Sequence, residues 1–145
     1  MAFPTEINTR EHADHSVPYT VARALLDGNV TVSDFDEARF RDPRALALVR
    51  KVALVSDAAL SNENIGAKLK VVARDGSVLT AEVPIPPGNM LNPAGDAALT
   101  RKFLALSEAV LGRQRAEAAV ETILAVDTMS DLGGLVNALA PAKPG

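Results

Sequence analysis

Apolar residues recur along the chain at spacings that predict short helices and one β-hairpin. The clearest helical pattern lies between residues 16 and 28, where the apolar residues share one broad face that we expect to be buried. These residues are Val17, Val21, Ala22, Ala24, Leu25 and Leu26. Ser16 is a favoured N-cap, Pro18 fits the first turn, and Gly28 suits the left-handed position that ends a helix.

A second stripe on the same predicted helix is polar. Tyr19, Arg23 and Asp27 follow one another at intervals of four residues, which places them on one side of the helix, and His15 precedes its start. The preceding residues 1–13 are polar, and we predict that they are extended and form no element of their own. Because they lead straight into the helix, we expect the natural start of the domain to lie further upstream.

Two start signals and one apolar run follow this helix. Ser33 or Asp34 is predicted to cap a brief helical turn through residue 40. Asp42 and Pro43 combine an N-cap with a proline in the first turn, which predicts a helix that ends near residue 51. The apolar run at residues 52–56 is typical of a strand.

The strongest turn signal in the chain predicts an antiparallel hairpin. Asp75 and Gly76 separate residues 67–74 from residues 77–83, and apolar residues alternate with other residues along both arms. We therefore expect a small sheet with one covered face. A stiff proline-rich connection, residues 84–93, follows it.

The remaining sequence predicts three helices. One apolar stripe ends at Gly112, a second follows it, and Ser130 is predicted to cap a last short helix. The stripes are Leu99, Phe103, Leu106 and Val110, then Ala116, Val120, Ile123 and Leu124, and finally Leu132, Leu135, Val136 and Leu139. The predicted fold class is α+β, with helices and a small antiparallel sheet followed by C-terminal helices. We expect three parts: an α+β part at 1–92 with its hairpin at 67–83, helices at 93–140, and a tail at 141–145.

Composition and charge exclude several classes of protein. The 145 residues amount to one domain, and the net charge of −3 argues against binding nucleic acid, which needs a concentrated basic patch. Acidic residues interleave the densest basic run, so we interpret it as a solvated helical face; the run comprises Arg39, Arg41, Arg44, Arg50 and Lys51. The sequence has no apolar run long enough to span a membrane and no signal-peptide pattern. It contains no cysteine, which suits a reducing cytoplasm.

The run from Ala13 to Gly28, ADHSVPYTVARALLDG, resembles the C-terminal part of the MmgE/PrpD family. Further similarities follow in order: VTVSDFDEARFRDPRALALVRKV, the VVARDGSVLTAEV hairpin, a loop with Gly88 and Asn92, and a helix with Lys102 before Phe103. The resemblance implies enzymes acting on small polycarboxylates, such as 2-methylcitrate dehydratase, cis-aconitate decarboxylase and iminodisuccinate epimerase. It also implies a helical domain, a smaller α+β lid domain, no metal or organic cofactor, and a homodimer. Residues 1–92 would then be lid-like, and residues 93–140 would pack on a helical domain.

Members of this family are much longer than this chain, which resembles only their last part. The family's main acid/base and substrate-binding residues lie upstream of it, so no catalytic residue is carried over to a numbered position. Asn89 and Met90 also stand where many members have His-Pro. We therefore expect the C-terminal part or small subunit of a lyase that is incomplete by itself, with a larger homologous subunit as partner. The alternative is a non-catalytic binding or homo-oligomerisation domain derived from the family.

Three residues are candidates for contact with a polycarboxylate ligand: His15, Tyr19 and Arg23. Arginine binds carboxylates through two parallel hydrogen bonds, and histidine is suited to proton transfer near neutral pH. The alternative is structural: His15 caps or packs at the helix start, Tyr19 bonds a backbone group, and Arg23 pairs with Asp27. His12 and His15 are three residues apart, but a metal site needs further ligands, and we predict none.

Overall fold

The computed structural model of the chain describes residues 6–60 and 65–141, and within them it confirms an α+β fold. Seven α-helices and a two-stranded antiparallel sheet are present in these residues. They are α1 (Arg10–Asp14), α2 (Val17–Asp27), α3 (Glu37–Phe40), α4 (Pro43–Val49), β1 (Ala67–Val72), β2 (Val78–Val83), α5 (Asp96–Leu111), α6 (Arg113–Leu124) and α7 (Gly133–Leu139). Short 3-10 turns occupy Val32–Phe35 and Val126–Thr128. Residues 142–145 of the predicted tail lie outside the described residues.

The chain divides into two compact units, Met1–Ala58 and Ala59–Gly145. The first contains α1 to α4, and the second contains the hairpin and α5 to α7. The expectation that residues 1–92 form a lid and residues 93–140 pack on another domain stays a prediction.

The end of the N-terminal segment differs from its prediction, because Arg10–Asp14 form a helix. Thr9 caps α1, its Oγ1 accepting a hydrogen bond from the amide of His12 at 3.2 Å. Ile7 and Ala13 are apolar residues within this mostly polar segment, and both are buried in the core of the first unit. The described residues of this segment, 6–13, therefore pack onto the unit, and residues 1–5 lie outside the described residues.

The predicted ends of α2 are confirmed. The Ser16 hydroxyl accepts a hydrogen bond from the amide of Tyr19 at 3.2 Å. Gly28 adopts a φ of 75° and donates its amide to the carbonyl of Ala24 at 2.9 Å. The start and end of this helix thus follow from local signals that the sequence displays.

The predicted buried face of α2 is wrong. Tyr19, Ala22 and Arg23 are buried, whereas Val17 and Leu25 remain 38% and 47% exposed. The reason is that α2 packs against α4, while the buried polar atoms of Tyr19 and Arg23 find partners at Asp34, in the first 3-10 turn, and at Asp42, the N-cap of α4. The polar stripe, and not the broad apolar one, therefore faces the core.

The segment between α2 and α4 forms two separate turns instead of one. Thr31 precedes the first, where Asp34 completes a capping box, and Asp36 precedes α3. The predicted start of the next helix is confirmed, since the Asp42 carboxylate accepts the amide of Arg44 at 2.9 Å. Residues 52–56 form no strand, which contradicts their prediction.

The hairpin is confirmed, but its predicted covered face is wrong. β1 and β2 pair in the register Leu69 with Ala81 and Val71 with Leu79, and the side chain and amide of Ser77 both bond the Asp75 carboxylate at the turn. Every residue of the two strands is exposed except Val71, which is half-buried. Among the described residues no element covers either face of this sheet.

The C-terminal helices are confirmed, with a later start for the last one. Gly112, at a φ of 75°, separates α5 from α6 as predicted. α7 begins at Gly133, whose amide bonds the Asp131 carboxylate at 2.7 Å, so Ser130 is not its cap. The buried residues of the second unit are few: Leu111, Ala116 and Ala119. Most of the predicted apolar stripe of α5 stays exposed, including Leu99, Leu106 and Val110.

Candidate functional site

The main polar cluster of the first unit surrounds the guanidinium of Arg23. This side chain is completely buried, and three carboxylates from separate parts of the unit surround it. Asp27 is one turn further along α2, Asp34 lies 3.5 Å from Nε through its Oδ1, and Asp42 lies 3.3 Å from Nη1 through its Oδ2. The cluster therefore joins α2 to the turn before α3 and to the start of α4.

Two further arginines balance the charge of these carboxylates. Nη2 of Arg39 lies 2.6 Å from Asp34 Oδ1 and 2.8 Å from Asp27 Oδ2. Nη2 of Arg44 lies 3.0 Å from Asp42 Oδ2. Three arginines and three aspartates thus form a formally neutral network, which lowers the cost of burying a charged group.

Asp34 is the residue that links the cluster to the aromatic core. Its Oδ2 accepts hydrogen bonds from the amide and hydroxyl of Thr31, at 2.7 and 2.9 Å, and its carboxylate is only 5% exposed. Its main-chain carbonyl accepts a hydrogen bond from the hydroxyl of Tyr19. The ring of Tyr19 lies 6.1 Å from that of Phe35. Tyr19 and Arg23, two of the predicted site residues, are therefore both held by Asp34.

His15 lies in a different environment from the other two candidates. It is exposed, follows α1 as its C-cap, and its Nδ1 lies 3.0 Å from the carbonyl oxygen of Glu11. The structure thus brings Tyr19 and Arg23 together at one cluster, while the described contact of His15 is local to its own turn.

The electrostatics of the cluster favour fixed protonation states at neutral pH. Burial raises the pKa of Tyr19. The hydrogen bonds from the side chain and amide of Arg44 lower the pKa of Asp42 from 3.8 to about 2. At neutral pH Tyr19 is therefore a hydrogen-bond donor, and Asp42 is an anion with little affinity for a proton. The network as folded therefore positions groups, and Asp42 within it is a weak base.

Sequence reasoning gave the pairing of Arg23 with Asp27 as its structural alternative, but it missed the parts that Asp34 and Asp42 take in this cluster. Asp34 and Asp42 were interpreted as helix caps, and Arg39 as part of a solvated face. Asp42 caps α4 as predicted, whereas Asp34 is not an N-cap and instead completes the capping box of Thr31. Each of the two carboxylates also contacts a guanidinium from another element. The one available signal was compositional, since aspartates and arginines alternate densely between residues 34 and 44.

Other candidate sites have less support in the structure. Within the described part of the chain, no three or more His, Asp or Glu side chains are grouped so as to hold a metal ion. None of the described helices has the length and apolarity needed to cross a membrane. Met90 is 90% exposed at the tip of a loop that Asn89 and Asn92 close through a β-bridge.

Comparison with known proteins confirms the resemblance seen in the sequence. Residues 2–128 match the MmgE/PrpD C-terminal domain. The chain is 27% identical to cis-aconitate decarboxylase of Homo sapiens over 137 residues, which are 92% of this chain and 28% of that protein. It is 34% identical to mitochondrial 2-methylcitrate dehydratase of Yarrowia lipolytica over 99 residues, 62% of this chain and 19% of that protein. Over 73 residues it is 36% identical to 2-methylcitrate dehydratase of Cupriavidus necator, 46% of this chain and 15% of that protein.

The chain thus spans less than a third of the length of each of these relatives. The family match, by contrast, covers nearly all of the chain, from the N-terminal segment through α6. The chain therefore belongs to the MmgE/PrpD family, in which it corresponds to the C-terminal domain.

Proposed function

We propose that this chain is the C-terminal part of a lyase that acts on small polycarboxylates. The observation that carries the proposal is the match of residues 2–128 to the MmgE/PrpD C-terminal domain, together with relatives named cis-aconitate decarboxylase and 2-methylcitrate dehydratase. The proposed reaction is dehydration or decarboxylation, without a metal or organic cofactor. The proposed location is the cytoplasm, which the lack of cysteine supports.

The proposed chemistry moves a proton at a carbon atom next to a carboxylate. In dehydration a base takes that proton, and the hydroxyl group on the neighbouring carbon leaves as water. In decarboxylation carbon dioxide leaves, and a proton is added to the carbon that it leaves. Both routes build up enolate-like negative charge, which donors and cations must stabilise.

The charge network supports a division of labour between this chain and other residues of the enzyme. Asp42, one of the carboxylates around Arg23, is paired with guanidinium groups and has a pKa far below neutral, so it is a poor base. We propose that the base lies in residues outside this sequence, on a larger homologous subunit or an upstream segment. This chain then forms part of the wall of the active site and contacts the substrate.

Among the three candidate residues, His15 is the best placed to meet a ligand. It is exposed, whereas Tyr19 and Arg23 are buried and already bonded. Tyr19 and Arg23 would reach a carboxylate only if the Asp34 contacts opened. We therefore propose that His15 contacts the substrate, while the buried contacts of Tyr19 and Arg23 hold α2, which follows His15, in place.

The test is turnover of cis-aconitate and 2-methylcitrate, measured with the purified chain alone and with the chain co-expressed with a larger member of the family. We expect turnover only in the assembly, and His15→Gln should lower it about a hundredfold. His12→Gln is the matched control, because His12 is exposed three residues earlier and should leave turnover unchanged. Wild-type turnover by His15→Gln would refute the role of His15, and turnover by the chain alone would refute its incompleteness.

One observation favours the alternative, a non-catalytic binding or homo-oligomerisation domain. Large apolar side chains stay exposed on the C-terminal helices, among them Leu106 and Val110 on α5 and Val136 on α7. Exposed apolar patches of this kind often mark interfaces. The test is light scattering of the purified chain. A stable homo-oligomer that shows no turnover in any assembly would favour this alternative.

A further inference from the structure

His15 lies in a short link between two helices, and hydrogen bonds hold the backbone of this link on both sides. Only His15 and Ser16 separate α1 from α2. The amide of His15 donates to the carbonyl of Glu11 at 3.1 Å, and the amide of Ser16 donates to the carbonyl of Ala13 at 3.2 Å. The carbonyl of Ser16 then accepts the amide of Thr20 at 3.0 Å. The main chain at this exposed histidine is therefore fixed by bonds to both helices.

The imidazole ring of His15 is held as well. Its Nδ1 lies 3.0 Å from the carbonyl oxygen of Glu11. A carbonyl oxygen can only accept a hydrogen bond, so Nδ1 carries the hydrogen of this contact. Because a neutral imidazole has hydrogen on only one of its two nitrogens, Nε2 is then the nitrogen without hydrogen. The contact with Glu11 thus selects one of the two tautomers of the ring.

The second ring nitrogen of His15 is accessible to a ligand. The side chain is exposed, and none of the residues that the structure describes forms a hydrogen bond or ion pair with Nε2. Hydrogen bonds with its own amide and with Thr9 lower the pKa of Glu11 and hold its carboxylate at the start of α1. The group that orients the ring is therefore an uncharged main-chain carbonyl, and Nε2 is the position at which the ring can react.

The same carbonyl can hold the ring of His15 in both of its charge states. A protonated imidazole carries hydrogen on both nitrogens, and in the neutral ring selected here only Nδ1 does. The ring can therefore gain or lose a proton at Nε2 without turning and without breaking its bond to Glu11. A group that is oriented before the reaction costs no reorganisation when the proton moves, and histidine is suited to such a transfer near neutral pH.

We propose that His15 delivers a proton from Nε2 to the hydroxyl group that leaves as water in a dehydration, with the Glu11 carbonyl as the positioning group. This inference rests on the proposed lyase function, and it assigns the reaction to polycarboxylates that carry a hydroxyl group. The base outside this sequence takes the proton from carbon, and the electron pair of that C–H bond forms the double bond. The C–O bond breaks, its electron pair stays on oxygen, and the Nε2 proton completes the water molecule. His15 is left neutral, with its remaining hydrogen on Nδ1.

Nitrogen-15 NMR of the purified chain tests the orientation of His15 without any turnover. The chain has two histidines, so spectra of His12→Gln assign both sets of ring signals. At pH 8, where histidine side chains are in general neutral, we expect His15 in the form with hydrogen on Nδ1. His12 is the internal control, because none of the described residues hydrogen-bonds its ring, and it should populate both tautomers.

Two substitutions of His15 separate a proton donor from a helix cap. In His15→Asn the amide group can still donate to the Glu11 carbonyl in place of Nδ1, but nothing replaces Nε2. In His15→Gln the longer side chain brings an amide to the position of Nε2, where it can bond a hydroxyl group but cannot transfer a proton. A purely structural role would survive in His15→Asn, and its thermal unfolding should match that of the wild type.

The kinetic measurement uses the chain assembled with a larger member of the family and 2-methylcitrate as substrate. We expect kcat to fall about a hundredfold for both His15 variants, because neither can transfer the proton. KM should rise about fivefold for His15→Asn and stay near the wild-type value for His15→Gln, because only glutamine keeps a hydrogen bond to the hydroxyl group. His12→Gln should leave both constants unchanged.

Three outcomes would overturn this inference. They are a neutral His15 with hydrogen on Nε2, a wild-type kcat for His15→Asn, and a loss of kcat in His12→Gln as large as in His15→Gln. A wild-type kcat for His15→Asn would reduce His15 to a helix cap, while turnover by the wild-type assembly would leave the lyase proposal intact. A wild-type assembly without turnover would instead refute the lyase proposal and the proton transfer together, and the tautomer measured by NMR would still stand.

Discussion

At the scale of single residues, Arg23 shows how a charged side chain comes to lie in a core. Its guanidinium is completely buried because Asp27, Asp34 and Asp42 surround it, and Arg39 and Arg44 balance their charge. Removing one member of such a network leaves buried charge without compensation, which costs more than the network contributes as a whole. We therefore expect the cluster to be sensitive to single substitutions.

Arg23→Met tests this sensitivity while preserving much of the side-chain volume. We expect the free energy of unfolding of the first unit to fall by about 3–5 kcal/mol, because three carboxylates lose their shared cation. Urea unfolding followed by tyrosine fluorescence measures it, since Tyr19 is the only tyrosine and the chain has no tryptophan. The control is Arg41→Met, whose exposed pair with Glu37 should contribute less than about 1 kcal/mol. Equal effects of the two variants would contradict the assigned role of Arg23.

At the scale of elements, the helices begin and end at local signals, but their buried faces do not follow from local pattern. α2 runs from its Ser16 cap to Gly28 as the sequence predicts. Its apolar stripe nevertheless remains largely exposed within this chain, and its polar stripe packs against α4. The large exposed apolar residues of α2, Val17, Leu25 and Leu26, resemble those of α5 in lacking cover among the described residues.

Substitutions of Gly28 test the left-handed end of α2. Gly28→Ala should cost about 1–2 kcal/mol of stability, because a Cβ is disfavoured at a φ of 75° even though no atom lies within 4 Å of it. Gly28→Asn is the matched variant and should cost less, because asparagine tolerates this conformation. Thermal unfolding of both proteins measures the difference, and an alanine variant as stable as the wild type would contradict it.

Much of the local structure could be predicted from particular residues, whereas the candidate site could be predicted only in part. Three local signals act as the sequence indicates: the Asp42 cap, the helix end at Gly112 and the Asp75–Gly76 turn. Each of them depends only on backbone groups a few residues away. The N-terminal helix was missed because the Thr9 cap and the Ile7 anchor stand in a polar context. The prediction of a strand at residues 52–56 was wrong. A strand needs a second strand to pair with, and a short apolar run does not specify one.

At the scale of the whole molecule, the chain consists of two units with different chemistry. The first unit has a core that includes Tyr19, Phe40 and Val49, with the charge network beside it. The second has a small core around Leu111 and Ala116 and an exposed hairpin. Among the described residues, the buried ionic network lies in the first unit, and acid should act on that unit through it.

The stability of the chain in acid should depend on Asp42. Its pKa is about 2 in the folded protein against an ordinary 3.8, so its ionised form stabilises the fold. This contribution is complete above the ordinary pKa and is lost as the pH falls from about 4 to about 2. Urea unfolding followed by Tyr19 fluorescence across this range should show the loss.

The control for this prediction is Asp42→Asn, which cannot titrate at this position. The difference in unfolding free energy between the wild type and this variant should be constant above about pH 5 and should shrink towards about pH 2. A difference that does not change across the range would mean that the ionised Asp42 contributes nothing to stability.

The sequence by itself determined where most of the helices and the hairpin turn lie and to which family the chain belongs. These properties depend on residues a few positions apart: a cap and its amide, a glycine at a helix end, an ordered run of motif residues. Only the tertiary structure decided which side of α2 is buried, that Arg23 has three carboxylate partners, and that the sheet formed by the described residues has two strands. Those outcomes depend on contacts such as Tyr19 with Asp34 and Arg23 with Asp42, which lie 15 and 19 residues apart. Local periodicity carries no information about which distant group will neutralise a buried charge or cover an exposed strand.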